Sequence, residues 1–387
     1  MHKIYLDHNS TTPVSKEVLD VMLPFYKDKF GNPSSIHSDG RAARVSLDVA
    51  RDQVAELIGA RSSEIVFTSG GSESNNFAIL GVALALNSKK RHIVTCQIEH
   101  AAILNPLKQL EALGFHVDYL PVDSVGRVDP KKVEDALTES TSLVTIQHAN
   151  SEIGTLQNIK EIGSLVTNKG ILFHTDAVQS VGKVAFNVND FSVDLLSMSS
   201  HKIYGPKGVG ALFVKRGTPA LFSPVCGGGQ EKKRRGGTEN VPGIVGFGKA
   251  CQIALDRINK GKLKQLKIMR DLLRNKIEKI IPNVEFYGCS KNGLPNTLSC
   301  GFDGADGETL LIALDMKGIS VSTGSACSSG TGMPSKVLSA LKLPLSKINS
   351  SIRFSLGWVN TSEDIDFAVQ SLAKAVVLSR RNPPCGF

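Results

Sequence analysis

The chain has 387 residues, enough for one large domain and one smaller domain, each with its own hydrophobic core. Hydrophobic residues make up 41% and charged residues 21%, which is typical of globular proteins. No stretch reaches the roughly 18 consecutive apolar residues that a transmembrane helix needs, and the N-terminus lacks the apolar core of a signal peptide. Composition therefore predicts a cytoplasmic protein without a membrane partner.

The charge distribution and the cysteine content argue against three further classes of protein: nucleic-acid-binding, disulfide-bonded and metal-binding. The formal net charge is +9, and the densest basic run is Lys232 to Arg235. Four clustered cations are too few for a groove that binds nucleic acid, so we expect a solvated basic loop beside an anion site. The seven cysteines are odd in number and contain no CxxC pair, which argues against a disulfide framework and predicts no metal site.

Short β-rich runs alternate with helical patterns in the first 214 residues. The predicted strands are Glu64–Phe67, His92–Thr95, Leu143–Ile146, Gly170–Phe173, Leu195–Met198 and Ala211–Val214. Helical patterns occupy Phe77–Leu86 and Ile159–Asn168. Apolar strands alternating with helices predict an α/β fold with a mostly parallel sheet covered on both faces.

The pattern changes after about residue 248. Apolar residues recur on one face from Phe247 to Ile281, which predicts a long helix closed by Pro282. Strand patterns near Pro295–Phe302 and Ile352–Leu356 indicate a smaller α+β domain. We expect a large domain over 15–248 and a small domain formed by 1–14 and 249–387.

Polar clusters follow five of the predicted strands. They are Thr68–Ser74, Glu99–His100, His148–Glu152, Asp176 with Gln179, and Ser199–Lys202. In open α/β sheets, ligands bind beyond the carboxyl ends of the strands. Five clusters at five such ends predict one pocket.

The segment Gly70–Ser74 suits an anion. Glycines let the backbone approach a phosphate, and the following helix offers free N–H groups and the positive end of its dipole. The alternative is a helix N-cap with a capping-box acid, which needs no ligand. The segment is not a P-loop, because GxxxxGK[ST] is absent from the chain.

Asp176 and Lys202 suggest aldehyde cofactor chemistry. A desolvated lysine can form a Schiff base, and a carboxylate can keep a pyridine nitrogen protonated. Alone, Lys202 could be a surface lysine and Asp176 an N-cap. The pair indicates a cofactor site only in combination with the predicted phosphate-binding segment and with His100, which could lie over a cofactor ring.

The motifs together resemble the cysteine desulfurases, which are fold-type I pyridoxal-phosphate enzymes of the class V aminotransferase superfamily. The resemblance runs from about residue 4 to about residue 375 and implies a seven-stranded, mostly parallel sheet in the large domain. The motifs that carry it are Tyr5–Pro13, Gly31–Ser35, Thr68–Asn76, Asp176–Ser180, Ser200–Gly208, Gly227–Glu231, Gly237–Asn240, Ser325–Cys327 and Ser350–Ser355.

The resemblance implies pyridoxal 5'-phosphate as the cofactor and assigns residues to its ring. Lys202 would hold the cofactor and move the substrate's α-proton, and Asp176 would pair with the pyridine nitrogen. Gln179 and Ser151 would face the ring hydroxyl. His100 would stack on the ring and assist acid–base steps.

The resemblance also implies phosphate, substrate and partner contacts. Thr238 would reach the phosphate of a neighbouring subunit, so the protein would be a homodimer. Arg353 would bind the carboxylate of L-cysteine, with Asn32 nearby. The phosphate would be held by Gly71, Ser72, Ser199 and His201.

Cys327 is the implied nucleophile. Its segment, Gly318 to Met333, holds eleven Gly, Ser or Thr among sixteen residues, so a mobile loop over about 318–335 is expected. The thiolate would take sulfur from L-cysteine as a persulfide, leaving L-alanine, and pass it to an acceptor protein for iron–sulfur cluster assembly or thiolation. The alternative for Cys327 is a buried structural cysteine.

Two departures from the family pattern bear on function. Ser151 stands where the family usually has Asn, which predicts altered cofactor tuning or substrate preference. The chain ends at Phe387, where relatives that serve a cluster scaffold usually carry a longer tail, so the acceptor stays open.

Three other functions remain as alternatives. A selenocysteine lyase or another fold-type I enzyme would use the same cofactor. A nonenzymatic module using the basic run would show salt-sensitive nucleic-acid binding and no chromophore. An inactive relic that only scaffolds a partner conflicts with the presence of Lys202, Asp176 and Cys327.

Overall fold

The computed structural model describes residues 3–86, 90–323 and 334–381. Its strands are β1 (Ile4–Tyr5), β2 (Ile65–Thr68), β3 (His92–Cys96), β4 (His116–Leu120), β5 (Thr141–Thr145), β6 (Leu172–Asp176), β7 (Leu195–Ser199), β8 (Gly210–Val214), β9 (Val284–Tyr287), β10 (Thr297–Phe302), β11 (Ile319–Ser320), β12 (Ser322–Thr323) and β13 (Ser351–Ser355).

Its helices are α1 (Lys16–Met22), α2 (Pro24–Lys27), α3 (Ser38–Ile58), α4 (Gly71–Leu86), α5 (Ala101–Ala112), α6 (Pro130–Ala136), α7 (Ile159–Asn168), α8 (Val241–Asn259), α9 (Lys262–Ile280), α10 (Gly307–Asp315), α11 (Lys336–Ala340), α12 (Leu345–Asn349) and α13 (Ser362–Arg381). Within the ranges described above, none of these helices combines the length and the apolar character that crossing a bilayer requires.

The central sheet has seven strands in the order β2-β8-β7-β6-β5-β3-β4. Strands β3 to β7 run parallel, and β8 is antiparallel to both β7 and β2. Strand β2 therefore points the same way as the parallel strands, and the carboxyl ends of six strands share one edge. The predicted α/β, mostly parallel, fold-type I architecture is confirmed.

The predicted strands β3, β5 and β7 differ in burial from β4, which was not predicted. Every residue of β3, β5 and β7 is buried, as expected for strands covered on both faces. Strand β4 lies at the sheet edge and mixes exposed, half-buried and buried residues. The sequence analysis did not identify β4, although Phe115 to Tyr119 alternates apolar and polar residues as an edge strand does.

The single long helix predicted over Phe247–Ile281 is wrong. Two helices, α8 and α9, occupy this region and are separated by Lys260 and Gly261. Gly261 has φ +67°, a left-handed conformation that glycine adopts without strain and that ends a helix. The apolar periodicity continues across the break because both helices bury one face.

Two main apolar cores lie on either side of this break. Ala250, Cys251 and Ala254 of α8 pack with the central sheet, whereas Leu266 of α9 packs with a second core. That second core includes residues of a four-stranded sheet ordered β12-β13-β10-β9 and of the β1 segment. The domain boundary at residue 248 falls inside α8 and stays a prediction.

Candidate active site

The carboxyl ends of the strands surround a pocket with a cavity volume of about 160 Å³. All five predicted polar clusters supply residues to it, which follows from the shared direction of β2, β3, β5, β6 and β7. The predicted site residues that line it are Gly71, Ser72, His100, Ser151, Asp176, Gln179, Ser199, His201 and Lys202.

One end of the pocket is built from the start of α4. The first N–H groups of a helix have no intrahelical acceptor and attract an anion. A Cβ at Gly71 would lie 2.6 Å from Cγ2 of Val178, so only glycine lets the backbone pass this close to the pocket wall. Glu73 accepts a hydrogen bond from the backbone N–H of Ser69 at 2.8 Å. Because α4 begins at Gly71, the N-cap residue is Gly70, which has no side chain and cannot form the reciprocal bond of a capping box.

Asp176 lies at the end of β6, beside α4. Its side chain accepts hydrogen bonds from Asn75 Nδ2 at 2.7 Å and from the Val178 backbone N–H at 3.0 Å. Asp176 is only 7% exposed, so both oxygens are oriented by fixed donors in a dry environment. Asn75 belongs to the Thr68–Asn76 motif, but sequence reasoning gave it no role.

Lys202 follows β7 in a single turn of 3₁₀ helix, Ser200–Lys202. Its Nζ donates to the backbone carbonyls of Asn9 and Ser10, each at 2.7 Å. The N-terminal segment therefore closes over the lysine. A carbonyl-bound amine at the pocket wall is positioned for reaction with a bound aldehyde.

Two histidines, His100 and His201, line the pocket. His100 Nδ1 accepts a hydrogen bond from the Ala102 backbone N–H at 3.0 Å, so the ring proton lies on Nε2. Burial, then the nearby charge of Lys202, lowers the pKa of His201 to about 4. His201 is therefore neutral at pH 7, with Nδ1 3.0 Å from the Thr11 hydroxyl.

A buried polar network lies beneath the lysine. Lys183 Nζ donates to Gln179 Oε1 at 2.9 Å and to Asn9 Oδ1 at 3.2 Å, and Gln179 Nε2 donates to the Asn9 carbonyl at 2.9 Å. Burial, then the positive charges of Lys202 and Arg353, holds the pKa of Lys183 well below its ordinary value. The network fixes Gln179 from behind, a role of Asn9 and Lys183 that the sequence did not reveal.

Arg353 lies in β13 and reaches the edge of the pocket. One terminal nitrogen donates to Asp7 Oδ1 and to the Ser10 hydroxyl, both at 2.7 Å, and the other donates to the Ser151 carbonyl at 3.2 Å. Arg353 is 4% exposed and its Nε, among the described residues, has no hydrogen-bond partner. The guanidinium is thus pre-oriented by Asp7, a residue that sequence reasoning left without a role.

Two predicted site residues, Asn32 and Thr238, do not line this pocket in the single chain. Asn32 is exposed, and its Oδ1 accepts from the Ser34 backbone N–H at 2.9 Å. Thr238 is exposed on the single chain. Cys327 lies outside the described residues, as does most of the expected 318–335 loop.

The basic run is only partly a solvated loop. Lys232 and Lys233 are exposed, but Arg235 contacts both oxygens of Glu73, at 2.8 and 3.2 Å. Arg234 donates to the Ile65 carbonyl at 3.2 Å. Arg235 therefore holds the loop at the start of α4 and Arg234 holds it at the start of β2, which corrects the expectation of four solvated cations.

Fold and pocket place the chain among enzymes of the aminotransferase class-V type, and its sequence matches the Aminotransferase class-V family over residues 4–367. It is 48% identical over 382 residues to the Dictyoglomus turgidum protein named Cysteine desulfurase IscS, covering 99% of this chain and 96% of the relative. A Methanosarcina thermophila protein of the same name is 45% identical, covering 98% of this chain and 94% of the relative.

Solved structures agree with these relatives. A NifS-like protein matches with a TM-score of 0.91 at 37% identity, covering 97% of this chain and 100% of that one. The structure described as SspA in complex with cysteine matches with a TM-score of 0.80 at 38% identity, covering 92% and 99%. The chain belongs to the cysteine desulfurases of the aminotransferase class-V family.

Proposed function

We propose that this chain removes sulfur from L-cysteine with bound pyridoxal 5'-phosphate, releasing L-alanine and holding the sulfur as a persulfide on Cys327. The observation that supports this most strongly is one pocket that contains a lysine amine, a buried carboxylate and an open helix N-terminus. These three groups suit an aldehyde, a pyridine nitrogen and a phosphate of a single cofactor.

The donors of this chain fit that cofactor. Gly71 begins α4 at the pocket, and Ser72, Ser199 and His201 add polar groups there. Neutral His201 would donate a hydrogen bond to a phosphate through Nε2 when its Nδ1 accepts from the Thr11 hydroxyl.

The residues around the cofactor would have different roles in the reaction. When bound, pyridoxal phosphate supplies an electron sink for bond breaking beside the substrate's α-carbon. Asp176, oriented by Asn75 and Val178, would pair with the pyridine nitrogen. Lys202 would hold the cofactor and later carry the α-proton on Nζ, while His100 would serve acid–base steps through Nε2.

The sulfur transfer would be carried out by Cys327. Its thiolate attacks the sulfur of the bound cysteine, an S–S bond forms and the substrate's C–S bond breaks. The electron pair of the broken bond stays with carbon, which takes the proton of the substrate thiol and leaves as L-alanine. The persulfide would then pass to a sulfur-acceptor protein for iron–sulfur cluster assembly or thiolation.

Arg353 would orient the substrate carboxylate at the pocket edge. The guanidinium already contacts the backbone of Ser151, which lines the pocket, and its Nε is a buried donor without a partner among the described residues. A substrate carboxylate would satisfy that donor through a charge-assisted hydrogen bond. Ser151, shorter than Asn, would leave more space beside the ring.

A homodimer would complete the site. Tyr26, Phe30 and Ile36 are 62%, 78% and 88% exposed on the single chain and flank Asn32. Exposed apolar residues concentrated on one segment mark an interaction surface. Burial of this segment in a dimer would bring Asn32 and Thr238 close to a pocket, and light scattering that gives the mass of one chain would contradict it.

The two-domain division would serve the reaction. We propose a large domain over 15–248 that holds the cofactor, and a small domain formed by 1–14 and 249–387 that carries Arg353 and Cys327. The separate apolar cores of the two parts support this division.

A paired lysine substitution tests the proposal. Purified protein with added cofactor is assayed for yellow absorbance and for alanine formed from L-cysteine with reductant present. Lys202→Ala is expected to abolish alanine formation and alter the absorbance, whereas Lys207→Ala, at an exposed lysine five residues away, is expected to retain both. Alanine formation at the wild-type rate by Lys202→Ala would refute the proposed site.

A further inference from the structure

A cluster of metal-ligand side chains lies outside the candidate active site. His92, His116 and Asp118 each present a ligand atom, and these atoms lie within 4.8 Å of one another. The residues belong to β3 and to the edge strand β4, at or near the amino ends of these strands. The cofactor pocket lies at the opposite, carboxyl edge of the sheet, so the cluster is separate from the proposed chemistry.

Sheet geometry aligns the three side chains. His92 is the register partner of His116 across the parallel pair, so the two rings stack with centroids 5.2 Å apart. His116 and Asp118 are two residues apart on one strand and therefore point to the same face. Hydrogen-bonded strands hold the set without help from a loop, as a site with fixed ligand geometry requires.

The distances fit the coordination sphere of a small transition-metal ion. Asp118 Oδ2 lies 3.2 Å from His92 Nε2, and Asp118 Oδ1 lies 3.2 Å from His116 Nε2. Metal–ligand bonds of about 2.0–2.2 Å place neighbouring ligand atoms about 3.0–3.4 Å apart in octahedral or tetrahedral geometry. Both His–Asp separations fall in this range, and imidazole ligands favour Zn²⁺-like ions over Mg²⁺ or Ca²⁺.

The buried ligand also has a supporting hydrogen bond. His92 Nδ1 lies 2.8 Å from the hydroxyl of Thr141, which itself accepts the Thr138 backbone N–H at 2.8 Å. That hydroxyl can still accept an Nδ1–H, which would direct the lone pair of Nε2 toward a metal. The His92 side chain is 4% exposed, whereas His116 is 75% exposed, so an ion could enter from solvent and keep water in its remaining positions.

We propose that His92, His116 and Asp118 form a binding site for a divalent transition-metal ion of the Zn²⁺ type, which clamps the edge strand β4 onto β3. The sequence predicted no metal site because two of these ligands are 24 residues apart and only the parallel pairing of the strands joins them. The site depends neither on the cofactor nor on cysteine as substrate.

Zinc titration of cofactor-loaded protein, followed by calorimetry and by thermal unfolding, tests the site. The wild type is expected to bind one Zn²⁺ per chain at this cluster and to unfold at a higher temperature with the ion. His116→Gln and Asp118→Asn are expected to weaken that binding at least tenfold and to lose the thermal shift. Asp135→Asn, an exposed acid elsewhere on the surface, serves as the matched control and is expected to behave as the wild type.

The pattern across variants decides the outcome. Zinc binding that is equal in the wild type, His116→Gln and Asp118→Asn would place the ion elsewhere, for example on cysteines, and would overturn the proposal. Absence of zinc binding by the wild type at millimolar concentration would overturn it as well, leaving the cluster as a set of hydrogen-bonded surface ion pairs. Because His116 is exposed, His116→Gln is not expected to disturb folding.

Discussion

Glu99 is an acid that the fold keeps protonated at neutral pH. Burial raises its pKa to about 8 from the ordinary value of 4.5. Oε1 accepts from the Gln147 backbone N–H at 2.7 Å and from the Cys96 thiol at 3.1 Å, whereas Oε2 has no partner among the described residues. Replacing Glu99 with Gln keeps the shape and removes the titration.

The expected change in stability follows from the shift. The pKa of Glu99 is higher in the folded chain than in the unfolded chain. Its contribution to the free energy of unfolding is therefore fully present below pH 4.5 and is lost as the pH rises through 8. At about 1.4 kcal/mol per pKa unit, the wild type loses about 4 kcal/mol between pH 5 and pH 9 from this group. The Glu99→Gln variant has no ionisable group at this position, so it should not lose this stability as the pH rises.

Thermal unfolding across pH measures the difference. With an unfolding entropy of roughly 2 cal/mol/K per residue, 4 kcal/mol corresponds to about 5 °C in a chain of 387 residues. We expect Glu99→Gln to gain about that much in Tm relative to the wild type between pH 5 and pH 9. The exposed control Glu56→Gln should follow the wild type. Parallel Tm profiles of the wild type and Glu99→Gln would refute the assignment of a neutral buried acid.

Three further predictions concern the pocket and its surroundings. Arg353→Lys should raise KM for L-cysteine roughly tenfold to a hundredfold and keep the yellow absorbance, because a lysine ammonium cannot form the two parallel hydrogen bonds of a planar guanidinium. An unchanged KM would show that Arg353 does not bind the substrate. Ser151→Asn should alter both the absorbance spectrum and cysteine turnover, and two unchanged readouts would refute a tuning role. Burial lowers the pKa of His148 to about 4, so the contribution of the neutral ring to stability is present above pH 6.5 and is lost as the pH falls towards 4. The Tm of His148→Leu should therefore fall less than the wild-type Tm between pH 6.5 and pH 4. An equal fall in both proteins would contradict the assignment of a neutral buried histidine.

The sequence predicted the features that depend on neighbouring residues. Strands β3 and β5 were recognisable because each contains a short run of apolar and β-branched residues. The shared pocket followed from the rule that ligands bind at the carboxyl ends of such strands. Those two arguments were enough to bring Asp176 and Lys202 together without knowledge of their distance.

Features that depend on distant contacts could not be predicted in this way. The pairing of Arg353 with Asp7 joins residues 346 positions apart, and no local pattern marks Asp7 as its partner. Likewise, the break between α8 and α9 depends on one glycine with a left-handed conformation inside an uninterrupted apolar period. Asn75 lies in a recognised motif, but only the folded chain shows that it orients Asp176.

The central claim is that sulfur leaves L-cysteine through Cys327, and mass spectrometry tests it most directly. Wild type, Cys327→Ala and the exposed-cysteine control Cys226→Ala are loaded with cofactor and treated with L-cysteine without reductant. We expect the wild type and Cys226→Ala to gain the mass of one sulfur atom on the peptide that contains Cys327, and Cys327→Ala to stay yellow without forming alanine or a persulfide. Alanine formation at the wild-type rate by Cys327→Ala, or added sulfur on another cysteine, would contradict the account.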